Sequence, residues 1–178
     1  MLIRGLVCGG MALARLVELA YSRRNLARLG PAEEGVASQR SFPLIIGVHT
    51  AVIGGTFLLG KKPCRVWLMC LALLQVLRAW VVLSMGQSWS ARGAVSEQTH
   101  LVTRGPYRYL RHPNYAVVIA ELAVLPLAFD AKRVAVSGTF VNSALLAVRI
   151  RDEERLLFRL PGYREHFGPK RRLIPGLL

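Results

Sequence analysis

Long apolar runs, separated by short basic segments, dominate the hydrophobic pattern of this chain. Each run is close to the length that an α-helix needs to cross a bilayer. The last run has no helix breaker before Pro161-Gly162, so its helix is expected to continue into water to about Leu160. The pattern predicts five transmembrane helices, at 2–21, 43–59, 65–85, 115–129 and 134–150. We therefore expect an all-α fold, a polytopic membrane helical bundle formed by a single domain over residues 1–178.

Prolines mark several helix boundaries in this pattern. Pro43 is predicted to open the second helix after a polar loop over residues 22–42. Pro113 fits the first turn of the fourth helix, where its missing N–H costs nothing, and this places His112 at the N-cap. Pro126 is expected to kink the end of that helix.

A few polar side chains lie inside the apolar runs. Arg15 and Glu18 are three residues apart, so they are predicted to pair on one helical face that points into the bundle. His49 is expected to be a packed, hydrogen-bonded histidine. Trp89, in the polar connection after the third helix, is expected to anchor the chain at the membrane interface.

Composition supports a membrane protein and argues against other classes. The chain is 53% hydrophobic, with a mean hydropathy of +0.36 and a formal net charge of +14. A nucleic-acid-binding protein would carry its basic residues on a more polar fold, so no nucleic-acid partner is predicted. The three cysteines show neither metal-ligand spacing nor a disulfide framework, and no metal site is predicted.

The distribution of Lys and Arg predicts the orientation. With five spans, 16 of the 24 basic residues fall on the side that holds the two long loops and the tail, 6 fall on the other side, and 2 lie within spans. The positive-inside rule places the more basic side in the cytoplasm. The basic tail after Gly162 is expected to lie on the membrane surface.

The stretch Thr99–Tyr115, THLVTRGPYRYLRHPNY, lies between two apolar runs and is polar, basic and aromatic. It leads into a helix start, which presents free backbone N–H groups and a partial positive charge. This make-up suits either a pocket for a small polar ligand or an interfacial anchor. The groups expected to converge there are His100, His112, Tyr107, Tyr109, Tyr115, Arg104, Arg108 and Arg111.

A second polar group lies at the end of the fifth helix. Arg149 and Glu153 are four residues apart and share a helical face, whereas Glu154 points about a quarter turn away. One interpretation is a solvated helix in which Glu154 pairs with Arg151 and Arg155. The other is that the Arg149 face meets the His112 helix start and completes a ligand site.

The combined side chains favour a particular kind of ligand. Carboxylates bind an ammonium group, and donors bind a carboxylate. Aromatic faces stabilise a sulfonium cation. S-adenosylmethionine carries these groups together with an adenine that fits an apolar slot.

At these residues the chain resembles the isoprenylcysteine carboxyl methyltransferase family, in the form of its short bacterial members. The resemblance is carried by LVTRGPYRYLRHPNY over Leu101–Tyr115, by RIRDEERLL over Arg149–Leu157, and by a tail with Tyr163 and Pro175. It covers about the C-terminal half. Two features depart from the family pattern: the spacing from Glu154 to Tyr163 is short, and Pro-Gly replaces Phe-Gly.

The resemblance implies an integral protein of a bacterial inner membrane, with N-terminal helices over 1–98 and a cofactor-binding half over 99–178. Its pocket is implied to face the cytosol, with a lipid-side entrance for the acceptor. Arg149 is implied to orient an acceptor carboxylate. The residues implied to bind S-adenosylmethionine are Thr99, His100, Leu101, Val102, Tyr107, His112, Pro113, Asn114, Tyr115, Glu153 and Glu154.

The expected activity is S-adenosylmethionine-dependent O-methylation of a lipophilic or prenylated acceptor within the bilayer. A carboxylate acceptor needs no base, whereas a phenol, with a pKa of about 10, needs help to lose its proton. His49, His100 and Glu121 are the candidate bases, and the choice between carboxylate and phenol stays open. Two alternatives remain: an NADPH-dependent membrane reductase that shares the Arg-His-Pro-x-Tyr segment, and a non-catalytic membrane adaptor.

Overall fold

A computed structural model describes residues 1–29, 31–96 and 99–174 of the chain. Its described residues form helices, with no strand beyond two isolated backbone bridges, which confirms the all-α prediction. Two single-turn 3-10 helices, Gly86–Ser88 and Gly105–Arg108, lie between the third and fourth α-helices. The α-helices are α1 (Leu2–Leu29), α2 (Val36–Leu59), α3 (Arg65–Met85), α4 (Pro113–Leu127), α5 (Lys132–Leu157) and α6 (Tyr163–Phe167).

Three helices in the described part of the chain are long and apolar enough to cross a membrane, not five. They are α2, the α3 helix with the turn that follows it, and α5. Helix α4 is apolar but has only 15 residues, a rise of about 22 Å against a hydrocarbon core of about 30 Å. Helix α1 has the length, but the charged residues along it dilute its apolar character. The chain is an integral membrane helical bundle, in which three helices meet the length and composition of a full span.

Helices α2, α4 and α5 pack around one apolar core. Val52 of α2, Val118 and Leu122 of α4, and Leu146 of α5 are all at most 5% exposed within it. At the far end of the bundle, the turn after α2 donates backbone hydrogen bonds to the turn between α4 and α5. The near end, where α1, α3 and α5 finish and α2 and α4 begin, is left to the long loops and the tail.

The loop predicted between the first two helices is much shorter than expected. Helix α1 continues to Leu29, and α2 begins at Val36, so Pro43 lies inside α2 and does not open it. The backbone N–H of Ser38 donates to Oδ2 of Asp152 on α5 at 3.1 Å, which caps the start of α2 from a different helix. Gly35 lies close to this carboxylate, because a Cβ there would overlap the Asp152 side chain and force it to move.

The prediction for the fourth helix is confirmed at its start. Pro113 occupies the first helical position, with His112 as the N-cap residue. Pro126 lies in the last turn, and the helix ends at Leu127 instead of continuing to Phe129. Helix α5 ends at Leu157, short of the predicted Leu160.

The extended end of α1 holds the loop that follows α3. Asn25 is fully buried, and its Nδ2 donates to the carbonyl oxygens of Gly86 at 3.1 Å and Trp89 at 2.8 Å. Ser22 Oγ accepts the backbone N–H of Ala91 at 2.9 Å. Helix α1 therefore fixes the loop that lies over the near end of α4.

The charged residues inside the apolar helices form one buried network, and the predicted pairing of Arg15 with Glu18 is confirmed at 3.2 Å. Arg78 of α3 donates to both Glu18 oxygens, at 3.0 and 2.8 Å. Arg15 also reaches Glu121 of α4 at 3.4 Å, and Gln75 donates to the same carboxylate at 2.7 Å. The network ties α1, α3 and α4 together with two positive and two negative charges.

Removal of the cap on α2 is expected to lower stability measurably. Asp152→Ala leaves the N–H of Ser38 without its acceptor, and the loss of an N-cap typically costs about 1 kcal/mol. Thermal unfolding in detergent should show a lower midpoint for this variant. Arg151→Ala, at an exposed neighbouring position, is the matched control and should leave the midpoint unchanged; equal midpoints for the two variants would contradict the cap.

Candidate functional site

The centre of the site is a chain of three hydrogen-bonded side chains, Arg149, Tyr115 and Glu153, of which the first two are buried. Arg149 Nε donates to the phenol oxygen of Tyr115 at 3.0 Å, and that phenol donates to Glu153 Oε2 at 2.5 Å. Arg149 is 2% exposed, and its Nη2 donates to the carbonyl of Ala91. The prediction that the Arg149 face of α5 meets the start of α4 is therefore what the structure shows.

A close backbone approach completes this centre. Gly93 lies over the Arg149–Glu153 pair with φ +67°, a conformation that favours glycine. A Cβ at this position would lie 3.1 Å from Glu153 Oε2 and 3.4 Å from Arg149 Nη2. The loop after α3 thus covers the site with bare backbone.

A narrow polar cavity of about 70 Å³ opens on the Glu153 side of this chain. It lies between the loop before α4, the start of α4, the end of α5 and α6. Nine residues that the family resemblance implied for the cofactor line it: Thr99, His100, Leu101, Val102, Tyr107, His112, Asn114, Tyr115 and Glu153.

The remaining expected groups lie elsewhere. Pro113 is buried at the helix start without lining the cavity, and Glu154 points away from it. Tyr109 is 62% exposed, and Arg104 and Arg108 are also exposed, so these three do not converge on the helix start as expected. Pro106 and Tyr107 in the 3-10 turn Gly105–Arg108 are buried instead, because successive side chains of such a turn point about 120° apart and only part of the turn faces the bundle.

Three buried polar atoms around the polar cavity have neither a hydrogen-bond nor an ion-pair partner within the described residues. They are Trp89 Nε1, Asn114 Oδ1 and Tyr163 Oη. Buried polar groups are rarely left unpaired, since each unsatisfied group costs about 1–3 kcal/mol. Both donors and acceptors are available here, so the cavity suits a polar ligand that itself carries both.

Aromatic residues that the sequence analysis did not assign to the site form much of the cavity wall. Trp89 is 2% exposed and stacks on Tyr21 at 5.9 Å, so the prediction of an interface anchor is wrong. Tyr163 and Phe167 of α6 stack at 4.7 Å, and each is 3% exposed. Their i, i+4 spacing after Gly162 is the sequence signal that could have identified them.

Burial keeps the phenols of this wall neutral. It raises the pKa of Tyr107 well above the ordinary value, and the nearby Glu153 carboxylate raises it further. The pKa of Tyr163 is raised by the same two causes, burial first. Both phenols are therefore hydrogen-bond donors at neutral pH, and neither acts as an anionic ligand.

Glu154 holds the tail against the bundle. Its carboxylate, 6% exposed, accepts hydrogen bonds from Arg111 at 3.0 Å and from Arg172 at 2.7 Å, and His112 Nε2 lies 3.4 Å away. These are its ion-pair partners in the described residues, rather than Arg151 and Arg155. The hydrogen bonds to Glu154 raise the pKa of Arg172.

Further contacts extend this clasp. The Arg111 side chain also donates to the carbonyl oxygens of Lys170 and Gly168. The backbone N–H groups of Arg111 and His112 donate to the carbonyl oxygens of Arg171 and Arg172, respectively. The tail over 163–172 thus packs on the site, while Pro175 is outside the described residues.

A larger apolar cavity of about 420 Å³ lies on the other side of the Arg149–Tyr115–Glu153 chain. It runs between α1 and α2 and reaches α4 and α5. Leu16 and Ile46 line it and are 62% and 39% exposed, so the cavity reaches the outer face of the bundle. Trp89, Asn114 and Tyr115 line both cavities, and Arg149 lines the apolar one.

These features define a class of protein: a membrane helical bundle with a polar cavity at a helix start, beside an apolar cavity that reaches the outer face of the bundle. The chain belongs to the isoprenylcysteine carboxyl methyltransferase family, whose model matches residues 67–159. That family is one of membrane methyltransferases, so the expected fold and class of activity agree with this membership.

Two bacterial relatives have been found. An uncharacterized protein of Bacillus subtilis, YpbQ, is 33% identical over 157 residues, which cover 83% of this chain and 92% of the relative. An uncharacterized protein of Haemophilus influenzae is 30% identical over 82 residues, which cover 46% of this chain and 48% of the relative. The similarity thus extends well beyond the residues that the family model matches.

The clasp around Glu154 should control the order of the tail. In Glu154→Gln the carboxylate charge is lost, so the hydrogen bonds with Arg111 and Arg172 weaken. Hydrogen exchange at the N–H groups of Arg111 and His112 is expected to become at least about tenfold faster. Glu153→Gln is the matched control and should leave these amides unchanged; protection that survives in Glu154→Gln would show that the clasp does not hold the tail.

Proposed function

We propose that the protein transfers a methyl group from S-adenosylmethionine to an oxygen of a lipophilic acceptor. One observation carries this proposal: a polar cavity and an apolar cavity meet at Trp89, Asn114 and Tyr115. Such a junction lets a charged, water-soluble methyl donor and an oily acceptor approach each other from different phases. Reaction between them needs little more than alignment and the exclusion of water.

The residues of the polar cavity fit the donor. Glu153 can accept hydrogen bonds from an ammonium group, and the faces of Tyr107 and Tyr115 suit a sulfonium cation. The unpaired donors Trp89 Nε1 and Tyr163 Oη can meet carboxylate or ribose oxygens. A nucleoside-sized ligand needs more room than about 70 Å³, so its binding requires the cavity lining to open.

When bound, S-adenosylmethionine supplies a methyl group on a positively charged sulfur, which is open to direct displacement. Arg149 places the acceptor oxygen, since its Nη1 makes no hydrogen bond to any described residue and the side chain lines the apolar cavity. Tyr115 fixes Arg149 and Glu153 relative to each other through its phenol. The two ligands are therefore positioned by a single hydrogen-bonded unit.

An ionised carboxylate is the acceptor group that these side chains suit best. Arg149 is a buried guanidinium that can bind a carboxylate, and a carboxylate needs no base before it attacks. The side of the bundle that carries the site is also the side with more Lys and Arg, which favours a cytoplasmic position of the polar cavity in a bacterial inner membrane.

Donor binding is expected to depend on Glu153 and His112. Isothermal titration calorimetry of the detergent-purified protein should detect S-adenosylmethionine, and Glu153→Gln or His112→Ala should weaken its binding by about tenfold or more. Tyr109→Ala is the matched control, because this side chain is 62% exposed and points away from the cavity. Binding of NADPH in place of S-adenosylmethionine would refute the proposal and favour a reductase.

Arg149 is expected to affect turnover more than donor binding. Arg149→Lys keeps the positive charge but loses the planar fork that orients an oxygen acceptor. Transfer of tritiated methyl groups into organic-extractable lipid should fall by about a hundredfold, while the donor affinity stays within about threefold. Arg151→Lys is the control, because this position is exposed, and it should change neither the methyl transfer nor the donor affinity. Unchanged methyl transfer in Arg149→Lys would show that Arg149 does not orient the acceptor.

A further inference from the structure

The inner end of the apolar cavity is polar, although it lies between helices that are otherwise apolar. Arg15 and Glu18 of α1, His49 of α2 and Arg78 of α3 all line the cavity there. Arg78 is 7% exposed, and Glu121 behind it is 3% exposed. A charged network of this kind is costly inside a membrane unless its groups are paired.

The pairing of this network is complete in charge but not in hydrogen bonds. Two arginines balance two glutamates, so the wall as a whole is neutral. Two buried nitrogen atoms nevertheless have neither a hydrogen bond nor an ion pair within the described residues: Arg15 Nε and His49 Nε2. Arg15 Nε can only donate, and His49 Nε2 donates in one of its two tautomers.

This polar end lies about two helical turns deeper than the reaction centre. Phe42 of α2 is level with Arg149, whose guanidinium lies 5.9 Å from the centre of its ring. His49 is seven residues further along α2, a rise of about 10 Å, and on the same face of the helix. On α4, Glu121 is six residues beyond Tyr115, a rise of about 9 Å. Helices α2 and α4 thus both place the polar end about 9–10 Å beyond the Arg149–Tyr115–Glu153 chain.

We propose that this polar end is a second subsite, which binds an uncharged oxygen acceptor, such as a carbonyl, in the chain of the methylated lipid. The proposal rests on the proposed function and names its substrate class. Arg15 Nε can only donate and His49 donates in its Nε2–H tautomer, so an occupant that satisfies both nitrogen atoms brings an acceptor atom. The wall is already neutral, so that atom carries no net charge. The substrate is an amphiphile with two oxygen functions about 9–10 Å apart, one at Arg149 and one at His49.

A purely structural network would have no preference among ligands. It would hold α1, α3 and α4 together, and its loss would lower stability without changing which lipid binds. The test therefore compares two probes on the same protein. It also changes His49 and leaves the four charged residues intact, so that the ion pairs remain as they are.

The probes are hexadecanoic acid and 8-oxohexadecanoic acid, in which seven carbon–carbon bonds separate the carboxyl carbon from the ketone. Both are titrated into nanodiscs without any methyl donor. Binding is followed by the fluorescence of Trp89, in a background that carries Trp67→Phe and Trp80→Phe, since both of these side chains are half-exposed on α3. Dissociation constants are expressed as mole fractions of probe in the bilayer, which corrects for different partitioning.

The oxo acid is expected to bind about tenfold more tightly than hexadecanoic acid, as one hydrogen bond from a buried donor would give. His49→Leu should bring the two affinities close together, and His49→Gln, which restores an N–H donor, should preserve the difference. Ile53→Val, which removes one methylene from the apolar lining, should weaken both probes equally.

Equal affinities in the unsubstituted protein, or a difference that survives in His49→Leu, would overturn the subsite. Absence of binding by both probes would overturn it as well. None of these outcomes depends on S-adenosylmethionine, whose binding is judged separately by calorimetry. A failed subsite and a failed methyl-donor site are therefore distinguishable.

Discussion

The buried guanidinium of Arg149 sets the main constraint on this fold. A charge at 2% exposure beside a membrane is tolerated only when hydrogen-bond partners surround it. Tyr115 of α4 and the carbonyl of Ala91 supply those partners, and Glu153, one turn further along α5, binds the same phenol. Satisfying this one group joins the start of α4 and the loop after α3 to α5, in addition to the apolar core and the contacts from α1.

The same group separates two environments. On the Glu153 side the walls are aromatic and polar, and some buried polar atoms there have no hydrogen-bond partner within the described residues. On the Arg149 side the walls are apolar along α1 and α2 and become polar again only at depth. A protein that joins a water-soluble donor to a lipid acceptor needs such a boundary, because neither ligand enters the other's phase. Helix α1 stabilises the boundary by holding the covering loop through Asn25.

Two adjacent acidic residues on α5, Glu153 and Glu154, make contacts on different sides of the helix. A step of one residue rotates a side chain by about 100°, so Glu153 faces the cavity while Glu154 faces the tail. Glu154 joins Arg111 and Arg172, which fixes the segment before α4 against the segment after α6. His112 lies beside both groups of contacts, because it stacks on Tyr115 at 5.5 Å and lies 3.4 Å from Glu154. The clasp thus supports the ligand site without lining it.

The sequence by itself determined the all-helical membrane class, the start of α4 at Pro113 and the grouping of Arg149 with Glu153, because these follow from helical periodicity and local backbone limits. Tertiary structure decided the rest. Helix α2 begins before Pro43, and Asp152 of α5 caps its start. Trp89 is buried against Tyr21. Glu154 pairs with Arg111 and Arg172, which are distant in the sequence, instead of with Arg151 and Arg155. Each depends on partners far away in the chain, which only packing brings together, and no local pattern encodes such contacts.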